Sequence, residues 1–257
     1  ERKLKAVLFA AGSGTRLKPL TETWPKCLMP IGNRPLLEYW LEYIKNANIS
    51  EAMVNLHFHS DIVKSFLRQE RFCWVKQVYE EKLLGTAGTL KRNYPFLKNS
   101  VVLAIHADNW CVCEFEKFIQ YHSDHRPAGT LMTMMTFESN NPESSGIVEL
   151  DKQGVVVNFY EKIKNPPGKL ANGAVFIIEP EVLDWMMSKE EIFDFSTDVI
   201  PNFLGKIATW ENNMIHKDIG TIEFLREAQN DPKPEFRFNG GSWQKEFLKN
   251  PIHQLLD

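Results

Sequence analysis

Over its first 120 or so residues the chain alternates short, continuously apolar runs with stretches of helical periodicity, and this limits its fold more than any other feature. Leu4 to Ala10, Ala52 to Leu56 and Val101 to Ile105 are largely apolar runs of strand length, and Trp74 to Tyr79 reads as another strand. Between them, Leu36, Leu37, Trp40, Leu41 and Ile44 recur at helical spacing, with Glu38, Glu42 and Lys45 expected on the solvent side and Pro35 in the first turn. Asp61 to Gln69, capped by Ser60, and Ala87 to Tyr94 read as further helices. Strands that are apolar without alternation are buried on both faces, which demands a parallel sheet covered by helices.

After Pro127 the pattern changes. Leu131 to Phe137, Gly146 to Leu150, Val155 to Tyr160 and Ala174 to Ile178 are strand-like, with Asp151 to Gly154 as a hairpin turn. Helices are expected at Glu181 to Met187 and Thr221 to Gln229. The predicted class is α/β: a Rossmann-like, mostly parallel central sheet with helices on both faces, and a smaller mixed β subregion. Domain limits are expected at 1–230, divided near residue 125, followed by a tail at 231–257 after Asp231-Pro232-Lys233-Pro234. The tail's Phe236, Phe238, Trp243 and Phe247 suggest packing or homodimer formation.

Composition removes several function classes. With 43% hydrophobic and 25% charged residues, the chain suits a packed globular protein and not a disordered one. Its 30 Lys+Arg against 33 Asp+Glu offer no basic surface for nucleic acid. No apolar run approaches the ~20 residues that span a bilayer. Four irregularly spaced cysteines read as free thiols in a reducing cytoplasm. Glu1 to Lys5 shows neither a signal peptide's apolar stretch nor an initiator Met, so a fragment of a longer chain is expected.

The most informative stretch is the loop after the first strand: Ala10-Ala11-Gly12-Ser13-Gly14-Thr15-Arg16-Leu17, then Pro19-Leu20-Thr21 and Pro25-Lys26. Small residues at the carboxyl end of a parallel strand let backbone amides approach an anion. Leu17 stands where a dinucleotide fingerprint needs Gly, and no Walker-type lysine loop occurs. Arg16 offers a planar fork for phosphate oxygens and Lys26 a compact charge. A tight strand–helix turn with two solvated cations would use the same residues.

Gly12-x-Gly14-Thr15-Arg16-Leu17-x-Pro19-x-Thr21 with Pro25-Lys26-x-Leu28-x-Pro30 resembles the signature of the sugar-1-phosphate nucleotidyltransferases, closest in wording to mannose-1-phosphate guanylyltransferase-like members. The resemblance runs to about Gln229 and implies the rest of a site. It places a nucleotide against Ala10, Ala11, Gly12, Ser13, Gly14 and Thr15, with Arg16 on the β/γ phosphates and Lys26 on the α-phosphate. Gly85, Thr86 and Gly88, in Leu84-Gly85-Thr86-Ala87-Gly88, fall where the family binds the nucleobase, and the wording favours GTP. Asp108 and Asp218, 110 residues apart, match the family's Mg²⁺ carboxylates, although Ala107 replaces the usual glycine. Gly146, Glu161, Lys162 and Asn172 match its sugar-phosphate pocket. Taken alone, Asp108 suits a helix cap, Glu161-Lys162 an exposed charge pair, and Asn172-Gly173 a hairpin turn.

The implied activity is transfer of a nucleoside monophosphate from an NTP to a sugar 1-phosphate with release of pyrophosphate, in a cytoplasmic enzyme. The alternatives are a cytidylyltransferase acting on a non-sugar phosphate and an inactive, nucleotide-sugar-binding regulatory subunit. Two further groups call for less. Cys111-x-Cys113 beside His106 lacks the usual zinc spacing. His57 and His59, which flank Phe58, suit either a ligand contact or a solvated loop.

Overall fold

The computed structural model describes residues 2–238 and 240–256. The architecture is mixed α/β, and the chain forms two compact units. Neither is one continuous stretch. The first comprises residues 2–6, 84–105 and 113–214, and the second residues 7–83, 106–112 and 215–256. None of the helices among the described residues is long and apolar enough to cross a membrane.

In the first unit the long strand Leu170–Ile178 pairs antiparallel with Val101–His106, matching Val175 to Ile105 and Ile178 to Val102. It also pairs antiparallel with Met132–Glu138, with a register break between Asn172 and Phe176. Gly146–Leu150 and Val156–Glu161 form the expected hairpin. The strand Ile207–Glu211, which the apolar pattern did not single out, runs parallel to Met132–Glu138. Val102, Phe176, Ile177 and Ile178 are buried, as continuous apolar runs require. The expected helix at Ala87 begins earlier and spans Gly85–Arg92. Asn172-Gly173 lies inside the long strand and is not a hairpin turn.

In the second unit Ala52–Leu56 and Val75–Tyr79 pair in parallel, from Ala52 with Val75 to Leu56 with Tyr79. The helix Leu36–Asn46 follows the expected periodicity, but its polar side is not in solvent: Glu38 is wholly buried and Glu42 nearly so. The tail packs along the same helix. Phe236 and Phe238 pack edge-on against Tyr43 and Tyr39 of that helix, and Phe238 also lies under the Arg34 guanidinium. Arg34 and Arg71 pair with the buried Glu38 carboxylate. Burial still pushes the Glu38 carboxyl above its usual range, against the pull of Arg71 and Arg34. Farther along the tail, Trp243 packs on Phe66 and Phe247 on Trp24. The helix expected from Asp61 runs Ser60–Leu67, and its cap position is His59 in a left-handed conformation, not Ser60.

Asn109–Val112 and Ile215–Asp218 form a separate two-stranded antiparallel ribbon, pairing Asp218 with Asn109 and Lys217 with Trp110. Both strands belong to the second unit, and the ribbon joins two segments that are about a hundred residues apart in the chain.

Candidate active site

The second unit assembles the loop and both aspartates. The loop leaves the strand Leu4–Phe9 at Ala10, whose amide donates to Asn55 Oδ1 at 2.7 Å. Asn55 Nδ2 in turn donates to Glu80 Oε2 at 3.1 Å, and both side chains are buried. This buried polar chain holds the start of the loop, because breaking it would leave desolvated groups unpaired. Sequence reasoning passed over both residues. Asn55 is a polar residue within an otherwise apolar strand, and that interruption was the available signal.

No α-helix follows the loop. Three single turns of 3₁₀ helix do, at Thr15–Leu17, Leu20–Glu22 and Lys26–Leu28, which excludes the strand–helix turn. Gly14 sits at φ +62°, and its carbonyl accepts from Thr21 Oγ1 at 2.7 Å. A Cβ there would lie 2.7 Å from Thr21 Cγ2 and 3.1 Å from Lys26 Cβ, so glycine lets these segments meet without strain. Gly12 faces open space.

Arg16 and Lys26 are not two independent solvated cations. Lys26 Nζ lies 2.6 Å from Asp108 Oδ2 and 3.6 Å from Asp218 Oδ1, with its side chain only 11% exposed. Arg16 Nη2 reaches Asp218 Oδ2 at 3.4 Å and stays 65% exposed. Burial opposes the charge on Lys26, but Asp108 and Asp218 outweigh it and hold its ammonium above the usual lysine range. Burial likewise opposes ionisation of Asp108, and Lys26 and His106 overcome it, holding that carboxyl below the usual range. The ribbon brings the two aspartates together: Asp218 pairs with Asn109, and the Ile219 amide donates to the Asp108 carbonyl at 3.1 Å.

Two carboxylates converging on one ammonium make a hard-oxygen donor set suited to Mg²⁺, which fills its remaining positions with phosphate oxygens and water. No group of three or more His, Cys, Asp or Glu residues capable of holding a metal occurs among the described residues, and Cys111 and Cys113 are buried. His57 Nδ1 donates to the Glu80 carbonyl and His59 Nε2 to the Thr21 carbonyl, both at 2.7 Å, so both rings stitch loops together.

The first unit holds the other candidates. Gly85, at φ +73°, is packed by Phe193: a Cβ would fall 2.2 Å from the Phe193 carbonyl oxygen. That oxygen accepts from the Ala87 amide at 2.9 Å, and Thr86 Oγ1 accepts from the Phe195 amide at 2.8 Å. Gly85, Thr86 and Gly88 therefore meet the Ile192–Phe195 segment, an internal reason for small residues there. Gly146 pairs across the hairpin with Glu161, and a Cβ on it would lie 2.8 Å from Glu161 Oε2. Lys162, just past the strand at φ +51°, is 67% exposed and 3.7 Å from Glu161. Burial pushes the Glu161 carboxyl up, opposed by Lys162 and reinforced by Asp194. Asn172 Oδ1 accepts from the Ala174 amide of its own strand at 2.8 Å, next to Ala171, which pairs with Ile147.

The family model for nucleotidyl transferases matches residues 5–234. The chain belongs to the nucleotidyl transferase family. It is 30% identical over 193 residues to the mannose-1-phosphate guanyltransferase of Saccharomyces cerevisiae, covering 72% of this chain and 53% of that one. To the UTP–glucose-1-phosphate uridylyltransferase of a Synechocystis strain it is 28% identical over 217 residues, covering 78% of this chain and 55% of the relative. The chain thus spans about half the length of these curated relatives. A Bacillus anthracis crystal structure, provisionally named a glucose-1-phosphate thymidylyltransferase, superposes with a TM-score of 0.78 at 21% identity. That match covers 94% of this chain and 99% of that one, and it establishes the fold.

Proposed function

We propose that this chain transfers a nucleoside monophosphate from a nucleoside triphosphate to a sugar 1-phosphate. An oxygen of the sugar phosphate attacks the α-phosphorus, a P–O bond forms, the α–β P–O bond breaks, and pyrophosphate leaves. The nucleophile is already an anion, so the protein has alignment and charge stabilisation to supply. The observation that carries this reading is the Lys26 ammonium, buried between Asp108 and Asp218 beside a loop that turns through Gly14 at φ +62°.

We assign Lys26 to the charge that develops at the α-phosphate and Arg16 to the departing pyrophosphate. Residues 10–15 would hold the triphosphate by backbone amides, and Lys162 the acceptor's phosphate, with Glu161 and Asn172 receiving sugar hydroxyls or amide contacts. Asp108 and Asp218 would hold Mg²⁺, which supplies Lewis-acid neutralisation of phosphate oxygens. GTP is the favoured donor, supported by the Leu84 to Gly88 wording and the yeast guanyltransferase relative.

A pyrophosphate-release screen of four nucleoside triphosphates against a panel of sugar 1-phosphates, with and without Mg²⁺, tests the proposal. Mg²⁺-dependent release that needs both substrates, fastest with GTP, is expected. Release only with CTP and a phospho-alcohol would favour a cytidylyltransferase, and nucleotide-sugar binding without release would favour a regulatory subunit.

A further inference from the structure

The ribbon that carries the paired aspartates is tied from its other face by a residue that belongs to none of the sequence motifs. Successive residues of a strand point to opposite faces. Asp218 and Asn109 form one cross-strand pair and Lys217 and Trp110 the next, so the Lys217 and Trp110 side chains leave the face opposite that of Asp218. Both end on one carboxylate. The Trp110 indole N–H donates to Asp231 Oδ2 at 3.0 Å, and Lys217 Nζ donates to Oδ1 and Oδ2 at 3.0 and 2.8 Å. Trp110 is fully buried and the Asp231 side chain is 16% exposed, so these charge-assisted bonds are largely shielded from water.

The route of the chain makes this a closed tie. After Asp218 the chain passes Ile219-Gly220, enters the helix Ile222–Gln229 capped by Thr221, and returns at Asp231. The Asp231 amide donates to the Ala228 carbonyl at 3.3 Å, fixing the return to the end of that helix. One carboxylate therefore spans both strands one residue pair away from Asp218.

We propose that Asp231 is a positioning residue for the divalent-cation site. By bridging Lys217 and Trp110 it fixes the separation of the two strands, and with it the placement of Asp108 and Asp218, without touching substrate. The inference rests on the nucleotidyltransferase reading for the identity of that site.

Two variants separate bridging from simple charge. Asp231→Asn removes a negative charge near the site and Lys217→Met a positive one. Acting only through their fields, the first would weaken divalent-cation binding and the second strengthen it. If the bridge positions the ribbon, both weaken it. Mn²⁺ binding to the free protein, followed by water-proton relaxation, gives a readout independent of turnover; thermal melting confirms folding.

The half-saturating Mn²⁺ concentration is expected to rise about tenfold in both variants. The half-saturating Mg²⁺ for pyrophosphate release should rise in parallel. Shifts in opposite directions, or a value within about twofold of wild type in Asp231→Asn, would overturn the proposal. Should Asp231→Asn fail to fold, Lys217→Met decides: a raised requirement supports the bridge, and an unchanged or lowered one refutes it. A wild-type protein with no metal dependence would instead sink the functional reading itself.

Discussion

The candidate groups of the second unit and those of the first are built on opposite principles. Around the loop, charges are held before any ligand arrives: Lys26 is buried between two carboxylates, and a buried Asn55–Glu80 chain grips the loop's first amide. Around Gly146, by contrast, Lys162 stands 67% exposed and 3.7 Å from its nearest partner. The first unit places its tightly held charges in a different set, where Glu179 receives Arg2, Arg126 and His122 at 3.0 Å each. A preorganised cradle stabilises charge that develops during reaction, whereas an exposed cation contributes mainly to capture. On the proposed reading, the loop groups would act on developing charge and Lys162 on capture of the acceptor.

The sharpest way to break this contrast is Lys26→Ala, expected to lower kcat by about 10²–10³ with a smaller effect on KM. Near-normal turnover in a folded variant would refute the cradle.

Next in size is a pH effect on the first unit. His122 is buried, with Nε2–H donating to Glu179 and Nδ1 accepting from Thr133 Oγ1. Burial, reinforced by Arg126 and opposed by Glu179, pushes its pKa down to about 4. Neutral His122 therefore favours the fold. Its stabilisation is complete above about pH 6.5 and is lost as the unfolded chain gains a proton between there and about pH 4, a change of about 3 kcal/mol. Urea unfolding at pH 7 and pH 4.5 should show this loss in wild type and a smaller one in His122→Gln.

Lys162→Ala should raise KM for the sugar phosphate about tenfold with kcat little changed. A large fall in kcat with KM intact would erase the distinction between the two regions. The smallest expected effect is on stability: Gly14→Ala, at φ +62° and against Thr21 and Lys26, should lower Tm by about 3 °C or more in thermal melts.

Local pattern made much of the fold legible, because buried strands such as Ala52–Leu56 announce themselves as apolar runs and the helix Leu36–Asn46 by its period. What the pattern could not show depends on distant segments. Glu38 and Glu42 read as solvated because nothing local reveals that the helix is packed all round, with Arg71 on Glu38 and tail aromatics on Tyr39 and Tyr43. The ribbon joining Asp108 to Asp218 consists of two four-residue strands, Asn109–Val112 and the polar Ile215–Asp218, too short to register as strands. The aspartates themselves were visible only through family resemblance. The roles of Asn55, Glu80 and Asp231 depend on partners distant in sequence, and a single buried polar residue carries no periodic signal.

The most direct test of the account is a Mg²⁺ titration of pyrophosphate release in wild type, Asp108→Asn and Asp218→Asn. The account predicts that each substitution alone raises the metal requirement and cuts turnover, because both carboxylates converge on the point that Lys26 Nζ marks at 2.6 and 3.6 Å. A variant with wild-type metal dependence and wild-type turnover would contradict it.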